Sequence, residues 1–331
     1  MRIQFIADPE IERFFDDVFR RRTEVELEID RHYHRFVNSR WAWVAQTALL
    51  LREAGYMVSM GEGLREDCVN IGLAADIRRL PRSSQYFRVS IDADQLRARW
   101  ANFFLVQNQS QEGYRSIWVP HWPQPGLLSR DPRRDGFRNV VFFGLPRNLA
   151  RGADWWTRVC RRHGMNFDVR PPERWNDYRD VDVAIGVRQF GFKRFSNKPP
   201  TKLFNAWLAR SVFIAGADSA YPQVGEPGRE FLVGADEKSI DQYLDRLSKE
   251  SGFGEDIIRN GSERVKVVGS RAAAVERWSS VLDNQVERAF REWSAMGRIS
   301  RGCQVYFGLL VDRSVRGRNS VWRAVKKVRG L

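Results

Sequence analysis

Residues 196–234 read SNKPPTKLFNAWLARSVFIAGADSAYPQVGEPGREFLVG, and this stretch indicates how the second half of the chain folds. Pro199 and Pro200 suit the first turn of a helix, which the apolar spacing extends to about Ala209. The apolar run Ser211–Ala215 predicts a buried strand, and FLV at residues 231–233 predicts another. Strands that alternate with helices in this way predict an α/β domain with a mostly parallel sheet.

The predicted helix of this stretch begins with a cluster of cationic groups. Lys198 and Lys202 flank Thr201, so two ammonium groups and free backbone amides meet at the positive end of the helix. This arrangement predicts a diphosphate site, with Asn205 one turn further on to bond a ribose or sugar hydroxyl. We expect a second set of amides and a hydroxyl from the turn after the next strand, at Ser219, Ala220 and Tyr221. The alternative is a solvated basic loop beside a capped helix.

A strand with the sequence NVVFF, residues 139–143, opens the second half and ends directly at Gly144. Because glycine has no Cβ, its backbone can approach a ligand at the end of the strand, and we expect Gly144 and the nearby Arg147 to contact that ligand. An ordinary tight turn explains Gly144 equally well. The sequence has no G-x-G-x-x-G after a strand and no G-x-x-x-x-G-K-[ST], which argues against dinucleotide redox enzymes and P-loop nucleotide hydrolases.

The first half of the chain shows the same alternation of strands and helices. Arg2–Ile6 predicts a strand, and the apolar spacing from Pro9 to about residue 35 predicts a helix. Ser39 is expected to cap a second helix before a strand at residues 56–60. Residues 120–138 contain four prolines and two glycines, which is typical of a linker between domains. We predict a first domain at residues 1–125, a second at 126–285, and a C-terminal helix with a basic tail at 286–331.

Two carboxylates follow a predicted strand of the first half, in FRVSIDADQ. An acceptor hydroxyl that attacks a sugar needs a general base, and Asp94 is our candidate. Asp92 and Asp94 could instead hold a divalent metal ion, or Asp94 could cap a helix or lie solvated on the surface. His121 could also reach a cleft between the halves, although packing beside Trp122 is the simpler interpretation. No Cys/His cluster has metal-binding spacing, so we predict no metal site there.

The helix at residues 198–209 and the turn after it resemble the donor half of GT-B glycosyltransferases, of the family 1/4-like bacterial type. The linker YRSIWVPHWPQPGLLSRDP and the following NVVFFG resemble those of bacterial sugar transferases in this class. The residues that carry the resemblance are Lys198, Pro199, Thr201, Lys202, Leu203, Asn205, Ala206, Trp207, Ala209, Ser219, Ala220 and Tyr221.

The resemblance implies a GT-B fold, an α/β architecture in which two Rossmann-like domains face a central cleft. It implies that the second domain binds a nucleotide diphosphate sugar as donor substrate, with no permanently bound cofactor, and that the first domain binds the acceptor. Many retaining members carry two glutamates where this chain has Asn197 and Asn205, so the anomeric outcome stays open. The expected function is sugar transfer to a glycan or lipid-linked acceptor in bacterial polysaccharide or glycoconjugate synthesis. The alternatives are a basic nucleic-acid-binding protein and a catalytically inactive relative that binds sugar nucleotides.

The chain of 331 residues carries a formal net charge of +14, and half of this excess lies in residues 313–331. Val321, Trp322, Val325 and Val328 alternate there with basic residues, which predicts an amphipathic helix on an anionic membrane surface. A nucleic-acid contact or a solvated end are the alternatives, and we expect no nucleic-acid partner. The N-terminus shows no signal pattern and no apolar run is long enough to span a membrane. We therefore expect a cytoplasmic protein, associated peripherally with the inner face of the cell membrane.

Overall fold

The first half of the chain folds around a sheet of six parallel strands. The computed structural model describes the backbone of residues 1–191 and 193–328, and the side chains of residues 1–191, 193–250 and 252–315. The elements of this half are β1 (Arg2–Ile6), α1 (Pro9–Arg20), α2 (Val25–Arg31), α3 (Gln46–Glu53), β2 (Met57–Gly61), β3 (Val69–Leu73), α4 (Ala74–Ile77), β4 (Phe87–Ile91), β5 (Phe103–Val106) and β6 (Ser116–Trp118). Their strands pair in the order β2-β1-β3-β4-β5-β6.

The second half folds around a sheet of five parallel strands, in the order β11-β10-β9-β7-β8. Its elements are β7 (Asn139–Phe143), α5 (Gly152–Arg162), β8 (Asn166–Arg170), β9 (Val183–Gly186), α6 (Thr201–Leu208), β10 (Val212–Ala215), β11 (Leu232–Val233), α7 (Glu237–Lys249) and α8 (Ser251–Val268). All residues of β9 and β10 are buried, as expected for parallel strands covered on both faces. The predicted α/β class, with a parallel sheet in each half, is confirmed.

Helix α6 packs closely between its own sheet and α8, which fixes the direction of its first turn. Leu203, Phe204 and Trp207 are buried among the apolar residues of the second domain. A Cβ at Gly261 of α8 would lie 2.2 Å from the Trp207 ring, so only glycine lets the two helices approach this closely. The Trp207 indole also donates a 2.7 Å hydrogen bond to the Glu230 carbonyl.

Within the described residues, three further helices follow the second domain, and all three contact the first domain. They are α9 (Arg271–Val281), α10 (Glu287–Ala295) and α11 (Arg298–Val328). Trp278, Leu282 and Trp293 belong to the apolar core of the first domain. The chain therefore returns to the first domain near Gly269, earlier than the boundary predicted at residue 285. The sequence pattern did not locate this return because apolar spacing predicts a helix without identifying the surface that covers it.

The chain passes between the two domains twice, and the carboxylate of Asp30 contacts both of these crossing segments. The first crossing is the linker: its Trp122 packs in the core of the first domain, and its Leu128 forms a β-bridge with Asp177 of the second domain. Asp30 of α2 accepts a 2.7 Å hydrogen bond from the Gly126 amide on the first crossing. It also pairs with Arg271 at the start of α9, on the second crossing.

Two other predictions need correction or lie outside the described part. The helix predicted from Pro9 to about residue 35 is divided into α1 and α2, because Arg22 takes a left-handed backbone conformation with φ of 52° between them. Helix α11 runs to Val328, but the tail residues from 316 onward that are predicted to meet a membrane lie outside the described side chains. Within the part of the chain that the structure describes, every helix is too short or too polar to span a bilayer.

Candidate active site

A cavity of about 310 Å³ lies between the two domains and is lined by residues from both. From the first domain it receives Asp94, three residues beyond β4, and from the linker His121. From the second domain it receives residues that follow β7 and β9, together with the first turn of α6. Its volume falls in the range of about 300–1,000 Å³ that is common for small-molecule sites. Parallel α/β sheets place ligands beyond the carboxyl ends of their strands, and these residues lie there.

Lys202, in the first turn of α6, brings a poorly compensated positive charge to this cavity. Its Nζ lies 4.1 Å from the centre of the Phe142 ring, so the side chain is held against the end of β7. Burial lowers the pKa of Lys202 well below its usual value, and nearby Arg188 lowers it further, while Asp218 raises it. An anion in the cavity would restore the charged form of this lysine.

Arg188 and Asp218 form an ion pair beside Lys202, and neither was identified as a site residue from the sequence. The Arg188 Nε lies 3.1 Å from an Asp218 carboxylate oxygen, and both side chains are mostly buried. Burial raises the pKa of Asp218 to about 6, although Arg188 opposes the rise. Their only sequence signal is position, because each lies two or three residues beyond the end of a buried strand, β9 or β10.

Lys198 and Asp94 meet across the cleft. The Lys198 ammonium lies 2.7 Å from one carboxylate oxygen of Asp94, and the Gln107 amide donates a 2.7 Å hydrogen bond to the other. Asp92 lies apart from them, because it is buried and pairs with Arg97. The two carboxylates of the D-x-D sequence therefore have different partners. Among the described residues, no group of His, Cys, Asp and Glu is arranged to hold a metal ion.

Gly144 lies so close to Lys202 that a side chain at this position would displace the lysine amino group. A Cβ at this position would lie 2.9 Å from the Lys202 Nζ and 2.8 Å from the Phe142 ring. Arg147 lies three residues further on, on an exposed turn at residues 146–148, and its side chain is exposed. Neighbouring Leu145 and Asn148 line the cavity, whereas Arg147 is not among the lining residues that the structure describes.

Thr201 and Asn205 continue the wall of the cavity along α6. The side-chain oxygen of Asn205 accepts a 3.0 Å hydrogen bond from the backbone N–H of Gln124 in the linker. Only its side-chain nitrogen is therefore left for the predicted hydrogen bond to a sugar or ribose hydroxyl. The Thr201 hydroxyl is buried and has no hydrogen-bond partner among the described residues. It is a polar group that a ligand at the start of α6 would satisfy.

The turn predicted to supply further amides is instead part of the contact between the domains. The Ser219 amide donates to the Arg194 carbonyl at 2.7 Å, and its hydroxyl accepts a 3.0 Å hydrogen bond from Asn108 of the first domain. Ala220 and Tyr221 are buried in the second domain, each 1% exposed. The structure therefore does not bring these three residues to the cavity, because Asn108 occupies Ser219 while Ala220 and Tyr221 pack inside the second domain.

His121 reaches the cavity from the linker and is held in one tautomer. Its Nδ1 lies 2.7 Å from the Trp122 carbonyl, which can only accept, so Nδ1 carries the proton and Nε2 keeps a free lone pair. The ring packs edge-on against Trp43 at 4.7 Å. Burial lowers the pKa of His121 below its usual value, which favours the neutral imidazole. His121 is thus a second group in the cavity that can accept a proton.

Comparison with known proteins returns similarities of fold. No protein-family model matches the sequence, and a search of curated proteins returned no match. Sucrose-phosphate synthase from Thermosynechococcus elongatus matches 76% of this chain and 94% of its own, with 10% identity and a TM-score of 0.48. Anabaena HepE, in complex with UDP and glucose, matches 86% and 99% with 9% identity and a TM-score of 0.47.

A variant of S. aureus TarM, in complex with fondaparinux, α-GlcNAc-glycerol and UDP, matches 72% of this chain with 8% identity and a TM-score of 0.46. This chain spans only 59% of the length of TarM. The structure itself has two domains with parallel sheets that face one cleft, and helices that return from the second domain to the first. The chain has the GT-B architecture that its sequence predicts.

Proposed function

We propose that this protein transfers a sugar from a nucleoside diphosphate donor to a hydroxyl group of an acceptor. The observation that carries the proposal is the convergence of Lys198, Lys202 and Arg188 at the first turn of α6, on one wall of the cavity between the domains. A diphosphate carries two negative charges, and cations with free helix amides are the groups that bind it best. The resemblance of residues 196–234 to the donor half of GT-B glycosyltransferases supports the same assignment.

In the proposed reaction, the acceptor oxygen bonds to the anomeric carbon of the donor sugar. The bond between that carbon and the diphosphate oxygen breaks, and the nucleoside diphosphate leaves with the electron pair. Negative charge grows on the leaving diphosphate in the transition state, where Lys202, Lys198 and Arg188 stabilise it most. Burial lowers the pKa of Lys202, and the diphosphate offsets this effect because it favours the protonated form of the lysine.

The acceptor proton passes to a general base on the first-domain side of the cleft. Asp94 remains our candidate, because it lines the cavity and faces Lys198, which itself contacts the donor in this proposal. His121 is the other group in reach, with Nε2 free to accept. A direct displacement of this kind inverts the configuration at the anomeric carbon, which the product's NMR spectrum reports.

The acceptor and the setting are further parts of the proposal. We propose a glycan or lipid-linked acceptor of polysaccharide or glycoconjugate synthesis, bound on the first-domain side of the cavity. The enzyme would work in the cytoplasm at the inner face of the membrane, with the basic residues of 313–331 near anionic lipid. Arg147, Asn205 and the turn at Ser219, Ala220 and Tyr221 remain predicted donor contacts from the sequence. The turn would first have to separate from Asn108.

The test is a thermal-unfolding screen of the full chain against UDP, ADP, GDP, CDP and TDP. A ligand at 100 times its Kd should stabilise the protein by about 2.7 kcal/mol. The Lys198→Ala variant should lose most of this shift, whereas the control Lys266→Ala, at an exposed lysine of α8, should keep it. Nucleotide sugars of the base identified are then incubated with candidate acceptors, and release of nucleoside diphosphate is measured.

The outcomes separate the proposal from its alternatives. Binding with no transfer or hydrolysis for any sugar would indicate an inactive relative that only binds sugar nucleotides. Failure of all five nucleotides to bind would contradict a donor site at α6. Salt-sensitive binding of DNA or RNA with no nucleotide binding would favour the nucleic-acid alternative.

A further inference from the structure

A second and larger cavity, about 680 Å³, lies between helix α11 and the loops that precede β5 and β6. These loops lie at the amino ends of their strands, whereas the candidate active site lies beyond the carboxyl ends. The two cavities therefore lie at opposite ends of the strands of the first sheet. Three arginines, Arg97, Arg99 and Arg115, line the second cavity, and one wall is formed by α11.

Helix α11 is anchored on the first domain at defined points, so its outward face is fixed. Asp312 is 4% exposed and forms an ion pair with Arg78 at 2.8 Å. A Cβ at Gly308 would lie 2.5 Å from the Arg99 carbonyl oxygen and 2.6 Å from the Trp100 Cα, so the helix lies directly on this backbone. Val305 is buried in the same small core as Trp100.

The opposite face of α11 presents a stripe of apolar side chains to solvent. Ile299 is 85% exposed, Phe307 64% and Tyr306 60%, and Leu310 continues the stripe at 40%. Tyr306 follows Ile299 by seven residues and Leu310 follows Tyr306 by four, so these three lie along one side of the helix with Phe307 beside them. Exposed apolar groups that lie together, rather than singly, mark an interaction site.

We propose that this face of α11, with the arginine-lined cavity beside it, docks on a membrane surface that contains anionic phospholipid. The aromatic and aliphatic side chains of the stripe would enter the interface between headgroups and acyl chains. A lipid phosphate would enter the cavity beside Arg99 and Arg115, whose guanidinium groups form no ion pair among the described residues. Arg97 is different, because Asp92 already compensates it at 2.5 Å.

Charge and polarity together favour a lipid surface over other partners. A nucleic acid would bind the arginines, but Ile299 and Leu310 would not contribute to its binding. At a membrane interface both the cationic and the apolar side chains contribute to binding. This contact differs from the one predicted for residues 313–331, because its apolar part lies upstream of the tail. It is also independent of the proposed sugar transfer, since none of its residues lines the cleft between the domains.

The experiment is flotation of the full chain with vesicles of phosphatidylcholine alone or mixed with phosphatidylglycerol. We expect binding to the mixed vesicles only, and about a tenfold loss for Tyr306→Ser combined with Phe307→Ser. We expect a loss of similar size for Arg99→Gln combined with Arg115→Gln. The control Val267→Ser, which removes an exposed apolar side chain from α8, should bind like the unchanged chain.

Two further arms keep the result decisive. The four substituted residues of α11 and the cavity are tested as two separate variants, and their thermal midpoints must match that of the control. A chain truncated after residue 315 should retain vesicle binding in part. The proposal is overturned if truncation abolishes binding while both variants bind normally, if neutral vesicles bind equally well, or if light scattering shows that the stripe joins two copies of the chain instead.

Discussion

Replacing Lys202 with methionine should weaken nucleotide binding without destabilising the protein. Methionine keeps an unbranched apolar stem, so it can lie against the Phe142 ring as the lysine does, while the charge is removed. Burial lowers the pKa of Lys202 well below its usual 10.5, with Arg188 lowering it further, so the charged form is penalised in the folded chain. The two effects of the substitution therefore have opposite signs.

The size of the binding effect follows from the loss of one charge-assisted hydrogen bond. Such a bond contributes about 1.5–3 kcal/mol, and each 1.4 kcal/mol changes an affinity tenfold. The Kd for a nucleoside diphosphate should therefore rise about 10- to 150-fold. For folding, the unfolded chain binds more protons at Lys202 than the folded chain does between the lowered pKa and 10.5, so stability rises with pH in that window. Methionine removes this dependence, and the thermal midpoint at neutral pH should be unchanged or higher.

Isothermal titration with the best nucleoside diphosphate and thermal unfolding measure the two quantities separately. Lys266→Met, at an exposed lysine that pairs with Glu263, is the matched control and should alter neither. In the unchanged chain, affinity should also fall as pH rises, because the anion favours the protonated lysine, and this slope should be smaller in the methionine variant. An unchanged Kd, or a thermal midpoint several degrees lower, would refute the argument that the charge of Lys202 destabilises the fold and serves to bind an anion.

Asp182→Ala should lower the free energy of unfolding by about 3–5 kcal/mol in urea denaturation, because its wholly buried carboxylate pairs with Arg130 and would leave that charge uncompensated. Burial raises the pKa of Asp218 to about 6, so its negative charge disappears as pH falls through 6 and affinity for a nucleotide sugar should rise there. In binding titrations, Asp218→Asn should show a smaller change of affinity across this range than the unchanged chain does. Asp94→Asn should reduce turnover about 10²- to 10⁴-fold while donor affinity is retained. Full activity in that variant, together with a comparable loss of turnover in His121→Gln, would identify the histidine as the general base instead.

The sequence predicts the sheets well because each buried strand is visible in its own residues. NVVFF of β7 and VFIA of β10 are continuous apolar runs, which parallel strands need because both of their faces are covered. The start of α6 is predicted to within two residues, because the prolines indicate a first turn at Pro199 and Pro200 and the helix begins at Thr201. Asp94 was expected in the cleft because it follows β4, and the lysines because they lie at the start of α6; that these two groups face each other across one cavity is what the GT-B resemblance implies.

The remaining features depend on contacts between residues far apart in the chain. The turn at Ser219 has suitable groups for a ligand, but the residue that occupies it, Asn108, comes from the other domain. Arg188 and Asp218 carry no motif, and their pairing emerges only when β9 and β10 lie side by side. The return of α9 to the first domain depends in the same way on the covering surface near Trp122, against which Trp278 stacks.

Asp30 contacts both segments that cross between the domains, so it marks the point about which the domains would rotate. On the cleft side they are joined by single hydrogen bonds such as those from Asn108 to Ser219 and to the Lys198 carbonyl, at 3.0 and 2.9 Å. Each such bond contributes only about 0.5–1.5 kcal/mol, because water replaces it when it breaks. The turn at Ser219 must leave Asn108 before it can contact a donor, so small-angle scattering should show a larger radius of gyration for the chain with nucleoside diphosphate than for the free chain. The affinity of the site would then include the free energy of separating the domains on the cleft side, so a substitution at Asp30 would change binding without contacting the ligand.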